Sequence, residues 1–154
     1  MRENRIPLFK TSVTDKGVAS PTIKKNRKTR SDKCHDVKFP VTKAEQIRLK
    51  TQCKQTDYFY KEKHGYDKKL SQTLFNTLLL KYSIHNKNKI NWDRSYSDSK
   101  TYMHTKLIER EYERIGGPYG YSTRRAMSDR KVVYYLVISA LELLEKEGAY
   151  RDLL

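Results

Sequence analysis

Two stretches of the chain, residues 36–49 and 100–115, change directly from an alternating polar and apolar pattern to a helical one. Alternation with a period of two predicts a short strand, and apolar residues three or four apart predict a helix. Each stretch is therefore predicted to form a strand joined tightly to a helix. The alternating inward positions are Val37, Phe39 and Val41 in the first stretch and Met103, Thr105 and Leu107 in the second.

The helices that follow these strands have recognisable ends. Thr42 and Glu45 have the spacing of a capping box at the start of the first helix. The helix that follows the second strand is predicted to end at residues 116–118, which are Gly-Gly-Pro. Their predicted apolar faces carry Leu49 and Cys53 in the first helix and Ile108, Tyr112 and Ile115 in the second.

A further helix is predicted in each half of the chain. Ser71 and Ser128 are predicted N-caps, and Gly148 is predicted to end the later helix. The predicted buried positions are Leu74, Phe75, Leu78, Leu79 and Tyr82 in the earlier helix and Val132, Val133, Leu136, Ile138, Leu143 and Leu144 in the later one. Their spacing is that of a buried helical stripe.

The predicted fold class is mainly α with short β-strands, arranged as strand-helix-helix twice. When Thr42 and Ile108 are aligned, the apolar strand positions fall 5, 3 and 1 residues before each of them, which indicates an internal repeat. We predict a disordered basic arm over 1–35, a first copy over 36–85 with a long insertion between its helices, a linker over 86–99 and a second copy over 100–148. A lone strand leaves its backbone groups unpaired, so the two strands are expected to pair antiparallel, within one chain or between chains.

The net charge of +15 indicates an anionic partner. Residues 1–35 hold ten lysines and arginines against three acids, and six of the ten fall within residues 24–33. Such an arm can follow phosphates without a fixed fold, and the alternative is a solvated tail. The predicted phosphate contacts in the arm are Lys24, Lys25, Arg27, Lys28 and Arg30.

Enzymatic chemistry is not expected. The sequence GGPYG lacks the Lys-Ser/Thr of a phosphate-binding loop, and no nucleophile-base set, metal motif or cofactor motif is recognisable. A zinc site built from Cys34, His35, Cys53 and His64 is conceivable, but the spacing is wrong for one. With two cysteines, no signal-peptide pattern and no apolar run long enough to span a bilayer, we predict a cytoplasmic protein with reduced thiols and no membrane partner.

The segments VKFPVTKAEQIRL with SQTLFNTLLLKY, and YMHTKLIEREYERI with SDRKVVYYLVISALELL, resemble the ribbon-helix-helix family of the Arc and MetJ repressors. The resemblance implies a two-stranded ribbon whose outward residues contact bases in the major groove of double-stranded DNA. It also implies phosphate binding at the start of each second helix. Base-facing positions would be Asp36, Lys38 and Pro40 in the first copy and Tyr102, His104 and Lys106 in the second, with helix starts near Ser71 and Ser128.

The chain departs from the family pattern at several points. Asp36 repels phosphate, and Pro40 has no amide for a ladder. The connection between helices is long, especially over residues 56–69. This insertion either lengthens the first helix, with aromatic residues on the core, or holds lysines over phosphates. The residues concerned are Tyr58, Phe59 and Tyr60 for the first alternative and Lys61, Lys63, Lys68 and Lys69 for the second, with Arg124 and Arg125 similarly placed in the second copy.

The resulting hypothesis is a sequence-specific double-stranded DNA-binding protein, active as a homodimer or as an intramolecular pseudo-dimer. By resemblance it would act as a bacterial or plasmid repressor, a partition factor, or a relaxosome accessory factor that works with a relaxase in conjugative transfer. One alternative is a non-specific DNA- or RNA-binding protein that uses its basic arm and its Tyr-rich loops as contacts and reads no bases. The twelve tyrosines of the chain could then serve in base stacking. Another alternative is a scaffold that recruits a partner protein.

Overall fold

The computed structural model describes residue 30 and residues 32–154, which are mainly helical and contain one two-stranded antiparallel sheet. This confirms the predicted mainly α class with short strands. The elements are β1 (Cys34–Pro40), α1 (Lys43–His64), α2 (Gln72–His85), β2 (Tyr102–Ile108), α3 (Glu109–Gly116), α4 (Tyr121–Arg125), α5 (Asp129–Glu147) and α6 (Tyr150–Leu153), with a 3-10 turn at Lys87–Lys89.

The sheet is a ribbon made from two strands of the same chain. In the antiparallel register, Cys34 lies opposite Ile108 and Pro40 lies opposite Tyr102. The first strand begins two residues before the boundary at 36 that was predicted from the sequence. The two strands are far apart along the chain, so their pairing closes a long loop and depends on the helices that cover one face.

The inner face of the ribbon is buried, as its alternation predicts. Phe39 and Leu107 have no exposed surface, and burial of each such side chain contributes roughly 1.5–3 kcal/mol. Thr105 is also fully buried, and its hydroxyl donates to the carbonyl of Val37 at 3.1 Å, which compensates for its loss of water. The remaining inward residues, Val37, Val41 and Met103, are buried as well.

Helix α1 is longer than the hydrophobic pattern indicates. It starts with the predicted capping box, in which the Thr42 hydroxyl accepts from the Glu45 amide and the Glu45 carboxylate accepts from the Thr42 amide. It continues for 22 residues to His64, so most of the predicted insertion is helical. Of its aromatic residues, Tyr60 packs against the core whereas Tyr58 is 68% exposed.

Helices α2 and α5 form the centre of the molecule. Ser71 and Ser128 cap them as predicted, and Gly148 ends α5 in the left-handed conformation with φ 65°. Where they cross, the Ser83 hydroxyl donates to the Leu136 carbonyl at 2.5 Å. In α5 ten consecutive residues, 132–141, are buried.

Two predicted core positions are exposed, Leu74 and Ile108, and four are only half-buried: Leu78, Tyr82, Tyr112 and Leu143. Leu74 is 37% exposed because it lies in the first turn of α2. Ile108 is 42% exposed because it is the last residue of β2 and precedes α3, so its side chain belongs to the outer face of the ribbon. The helical pattern had assigned it to the wrong element.

The segment predicted as a linker, residues 86–99, packs along α5. Trp92 and Tyr96 lie against the core, and the Arg94 carbonyl accepts from the Tyr135 hydroxyl at 3.1 Å. The polar composition of this segment predicted a loop, and most of it lacks regular structure. Its aromatic residues nevertheless attach it to α5, where Trp92 and Tyr96 contact Tyr134 and Tyr135.

Candidate nucleic-acid interface

The outer face of the ribbon carries the residues that the resemblance assigns to base reading. Lys38 and Lys106 are exposed, Tyr102 is 38% exposed and the side chain of His104 is 43% exposed. Lys38 lies directly opposite His104 in the register. The structure therefore brings these four predicted residues together on one polar surface. Pro40 does not belong to it: Pro40 is buried, so its expected base-facing position is wrong.

A carboxylate lies in the middle of this surface and contacts the histidine. The Asp36 oxygens are 3.1 and 3.2 Å from Nδ1 of His104. A carboxylate accepts hydrogen bonds, so Nδ1 is the donor and Nε2 remains for a ligand. Asp36 also lies opposite Lys106 in the register. The sequence indicated repulsion between Asp36 and phosphate, but not that Asp36 orients His104.

The free edge of β2 is closed by two side chains of α2. Asn76 donates from Nδ2 to the His104 carbonyl at 3.0 Å, and the Lys106 amide donates to the Thr77 hydroxyl at 2.9 Å. Both are buried polar residues, and unpaired backbone groups at a strand edge would otherwise need water or another strand. These bonds hold the backbone at the two candidate base-reading positions. Neither residue was predicted from the sequence, because a polar residue within an apolar helical stripe does not indicate which backbone group it will contact.

The predicted phosphate sites at Ser71 and Ser128 differ in charge. Ser71 accepts from the Leu74 amide at 3.2 Å, and the first turn of α2 contains no acid. Ser128 accepts from the Lys131 amide at 3.4 Å, but Asp129 lies in the first turn of α5. The carboxylate already complements the positive end of that helix, so the start of α2 is the more favourable site for a phosphate.

Asp129 is half-buried and is held in place by two hydroxyl groups. It accepts from Ser122 at 2.6 Å and from Tyr112. The hydrogen bond to Asp129, together with burial, raises the pKa of Tyr112 to about 12, because the phenolate would lose this bond and face a carboxylate. Tyr112 also stacks on His35, with ring centres 3.9 Å apart. His35 in turn lies 2.5 Å from Glu109, so this end of the ribbon is tied to α3.

Arg130 is a basic residue of this surface that the sequence analysis missed. Its guanidinium lies over the ring of Tyr102, 5.6 Å from the ring centre, and the residue is exposed. It therefore places a positive charge where α5 begins and the ribbon ends. Its position could have indicated this role, because Arg130 lies two residues after the Ser128 cap and the start of that helix was a predicted phosphate site.

Arg124 and Arg125 lie at the end of α4 and line a separate groove. The Arg125 guanidinium lies 3.8 Å from the centre of the Trp92 ring, and Arg124 lies beside Tyr121 and Lys87. Among the described residues that line this groove, none belongs to the ribbon. The structure thus does not bring the two predicted arginines together with the candidate base-reading residues.

The predicted arm contacts fall mostly beyond the structure. Lys24, Lys25, Arg27 and Lys28 lie outside the described residues. Arg30 is described and exposed, and its carbonyl accepts from the Lys33 amide at 3.1 Å.

Within residues 30 and 32–154, no group of three or more His, Cys, Asp or Glu side chains is arranged to hold a metal ion. In the same residues no helix has the length and apolar character needed to cross a bilayer.

Comparison of the chain with protein-family models, curated proteins and solved structures gave no match in any of the three cases.

Proposed function

We propose that the protein binds double-stranded DNA and reads base edges with the outer face of the β1–β2 ribbon. A two-stranded ribbon fits the major groove of B-DNA. The observation that carries the proposal is the contrast between the faces. The inner face is buried, whereas the outer face exposes Lys38, Tyr102, His104 and Lys106 together.

The side chains of this face suit base recognition. An extended lysine such as Lys106 can donate to O6 and N7 of guanine. His104, oriented by Asp36, offers Nε2 to a base edge. Tyr102, whose hydroxyl donates to Asp98 at 3.4 Å, offers a ring that can pack on a thymine methyl group. Asn76 and Thr77 hold the β2 backbone in place, so these side chains project from a rigid strand.

The register of the strands supports a tandem ribbon-helix-helix arrangement, with the two copies of one chain pairing as a pseudo-dimer. In a ribbon with approximate twofold symmetry, equivalent residues of the two copies face each other on the axis. The aligned residues Thr42 and Ile108 are 66 residues apart, and the facing residues Lys38 and His104 are also 66 apart. The sequence alignment of the repeat and the strand register are therefore consistent with a single twofold axis between Lys38 and His104. A site read by lysine on one side and histidine on the other would be non-palindromic.

Phosphate contacts would flank the groove. The start of α2 offers free amides without an acid in its first turn, and Lys68 and Lys69 are exposed just before it. At the start of α5 the exposed guanidinium of Arg130 is the candidate instead. The arm would add sequence-independent affinity.

The resemblance extends the proposal to a biological role. A small basic ribbon-helix-helix protein would act as a bacterial or plasmid repressor, or as a relaxosome accessory factor that positions a relaxase at a transfer origin. Homodimers would place several ribbons over adjacent half-sites.

The test is selection of bound duplexes from a random DNA pool at about 0.15 M salt, where non-specific phosphate binding is already weakened. Enrichment of a short motif is expected, and Lys106→Ala and His104→Ala should each relax specificity at defined positions. Lys54→Ala, an exposed lysine on α1, is the matched control and should leave the motif unchanged. Binding without enrichment would overturn base readout by the ribbon.

A non-specific nucleic-acid binder is the second candidate, favoured by the exposed aromatic residues. Tyr58, Tyr66 and Tyr119 are 68%, 82% and 90% exposed on a chain of net charge +15. This candidate predicts equal affinity for unrelated duplexes and a steep salt dependence. Removal of residues 1–29, which leaves the ribbon intact, distinguishes the two candidate functions. A protein that binds through the arm should lose most of its affinity, whereas one that reads bases with the ribbon should still select its motif.

A further inference from the structure

A basic groove on the second copy has features of a site for an unpaired nucleotide. Two adjoining cavities, of about 270 and 380 Å³, share Lys87, Tyr121 and Arg124 in their walls. Ile84, Arg114 and Tyr119 complete the first cavity, and Trp92 and Arg125 complete the second. The larger volume lies within the range of about 300–1,000 Å³ that is typical of small-molecule sites.

The charges of this groove are uncompensated, unlike those around it. Nearby basic side chains are paired: Lys81 with Glu111 at 2.9 Å, Lys89 with Glu147 at 3.3 Å, and Arg94 with Glu142. The lining cations take part in no such pair within the described part of the chain, and no carboxylate lines the groove there. These unpaired cations are Lys87, Arg114, Arg124 and Arg125, all exposed. The groove therefore attracts an anion.

Aromatic groups stand beside these charges. The Arg125 guanidinium covers Trp92 at 3.8 Å, and the second face of a stacked guanidinium is a surface on which a nucleic-acid base can stack. Tyr121 lies 5.5 Å from Trp92 between ring centres, and its hydroxyl is buried without a hydrogen-bond partner among the described residues.

Tyr119 is exposed but held on an ordered turn. It is 90% exposed between α3 and α4. The turn is closed by the Gly120 amide, which donates to the Gly117 carbonyl at 2.9 Å, and by Thr123, whose hydroxyl donates to the same carbonyl at 3.0 Å. A Cβ at Gly120 would lie 2.4 Å from the Ile115 carbonyl oxygen, so the tight turn requires glycine there. The backbone that carries this exposed ring is therefore ordered, which lowers the entropy lost when a base stacks on the ring.

We infer that this groove binds single-stranded nucleic acid, with its lysine and arginines on the phosphates and with Tyr119 and the Arg125–Trp92 pair stacking bases. The combination of a positive groove with aromatic platforms is the general mode of single-strand binding. The groove contains no ribbon residue, so the inference stands independently of duplex reading. A protein with both surfaces would hold duplex DNA beside an unpaired strand.

The experiment uses the fluorescence of Trp92, the one tryptophan of the chain. The full-length protein is titrated with oligothymidylate of ten nucleotides, with thymidine monophosphate and with inorganic polyphosphate. Saturable quenching by the oligonucleotide is expected, with much weaker binding of the monophosphate and the polyphosphate. Tyr119→Ala should weaken oligonucleotide binding about tenfold, since each stacked base contributes substantially. Arg125→Lys, which keeps the charge but removes the planar group, should also weaken it.

Matched controls separate this site from the ribbon and from general charge. His64→Ala removes an exposed aromatic ring outside the groove and should leave oligonucleotide binding unchanged. Lys106→Ala should alter duplex selection but not Trp92 quenching. The inference is overturned if no quenching occurs, or if Tyr119→Ala has no effect. It is also overturned if polyphosphate binds as tightly as the oligonucleotide, which would indicate a charged patch only, or if the monophosphate does, which would indicate a free-nucleotide site.

Discussion

The carboxylate of Glu45 accepts a hydrogen bond from the hydroxyl of Tyr134 at 2.8 Å and joins the first turn of α1 to the buried helix α5. The same carboxylate accepts from the Thr42 amide at 2.8 Å, so one side chain both caps α1 and links it to α5. Burial, and then the bond to Glu45, raises the pKa of the Tyr134 phenol. Tyr134 therefore remains a donor at neutral pH.

Removal of the Tyr134 hydroxyl should destabilise the fold. Tyr134→Phe is expected to lower the free energy of unfolding by about 1.5–3 kcal/mol, the usual range for a hydrogen bond to a charged group. Urea denaturation followed by circular dichroism measures the change. Tyr58→Phe, at a position that is 68% exposed, is the control and should change stability by less than about 0.5 kcal/mol. Equal effects of the two variants would contradict a structural role for the Glu45–Tyr134 bond.

The sequence predicted the elements whose signals are local. The capping box at Thr42, the cap at Ser71 and the glycine at 148 mark helix ends through hydrogen bonds within a few residues, and all three are observed. The buried face of the ribbon followed from alternation alone. These features depend on neighbours in the chain, so a single sequence is sufficient to predict them.

Contacts between distant residues could not be predicted in the same way. The helical stripe of α2 does not indicate that Asn76 bonds to the carbonyl of His104, 28 residues later. Likewise, the Arg125–Trp92 contact depends on how residues 86–99 lie along α5, and their polar composition suggested only a loop. The assignment of Ile108 to a helix was wrong because strand and helix patterns overlap where β2 meets α3.

The hydrogen bond from Asn76 to the edge of β2 provides a second prediction. Asn76→Ala removes the donor to the His104 carbonyl and leaves a buried position without a polar partner. The free energy of unfolding should fall by about 1–3 kcal/mol. If the folded variant is then tested on the selected duplex, specificity should relax at the His104 position, because the strand backbone is less fixed. Lys54→Ala, on the exposed side of α1, offers a helix-surface control in the same assays. Unchanged stability of Asn76→Ala would show that the edge is adequately hydrated.

The two cysteines should differ in reactivity. Burial raises the pKa of the Cys53 thiol to about 11, whereas Cys34 is exposed at the start of β1. Because the thiolate is the reactive form, a maleimide at pH 7.5 should label Cys34 rapidly and Cys53 only on unfolding. Mass spectrometry of peptides after short labelling measures this, and labelling in urea is the reference for full reaction. Rapid labelling of Cys53 in the native protein would mean that α1 opens locally.

The ion pair at Asp57 gives the protein a defined acid sensitivity. Hydrogen bonds from Lys61 and then from the Leu70 amide lower the pKa of Asp57 from its ordinary value of 3.8. A carboxyl group with a lowered pKa contributes stability above its unfolded pKa, and that contribution is lost as pH falls through the folded value. Asp57→Asn should therefore reduce stability at pH 6–7 by roughly 1 kcal/mol. The difference from the original protein should shrink as pH falls below about 4, as urea titrations at several pH values would reveal; a difference constant down to pH 2.5 would contradict it.

The position of Asp36 on the ribbon predicts that its replacement should raise the affinity for duplex DNA and lower the specificity. Asp36→Asn removes a negative charge from the surface proposed to enter the groove, so affinity for unrelated duplexes should rise about fivefold at low salt. The amide is a weaker acceptor for Nδ1 of His104 than the carboxylate, so discrimination at the base facing His104 should fall. Competition binding with the selected motif and with single-base variants measures both quantities. Asp152→Asn, an exposed acid on α6, is the charge-matched control. If Asp36→Asn and Asp152→Asn raise duplex affinity equally and leave specificity intact, the ribbon does not face the DNA, because only a residue inside the interface can couple charge to base selection.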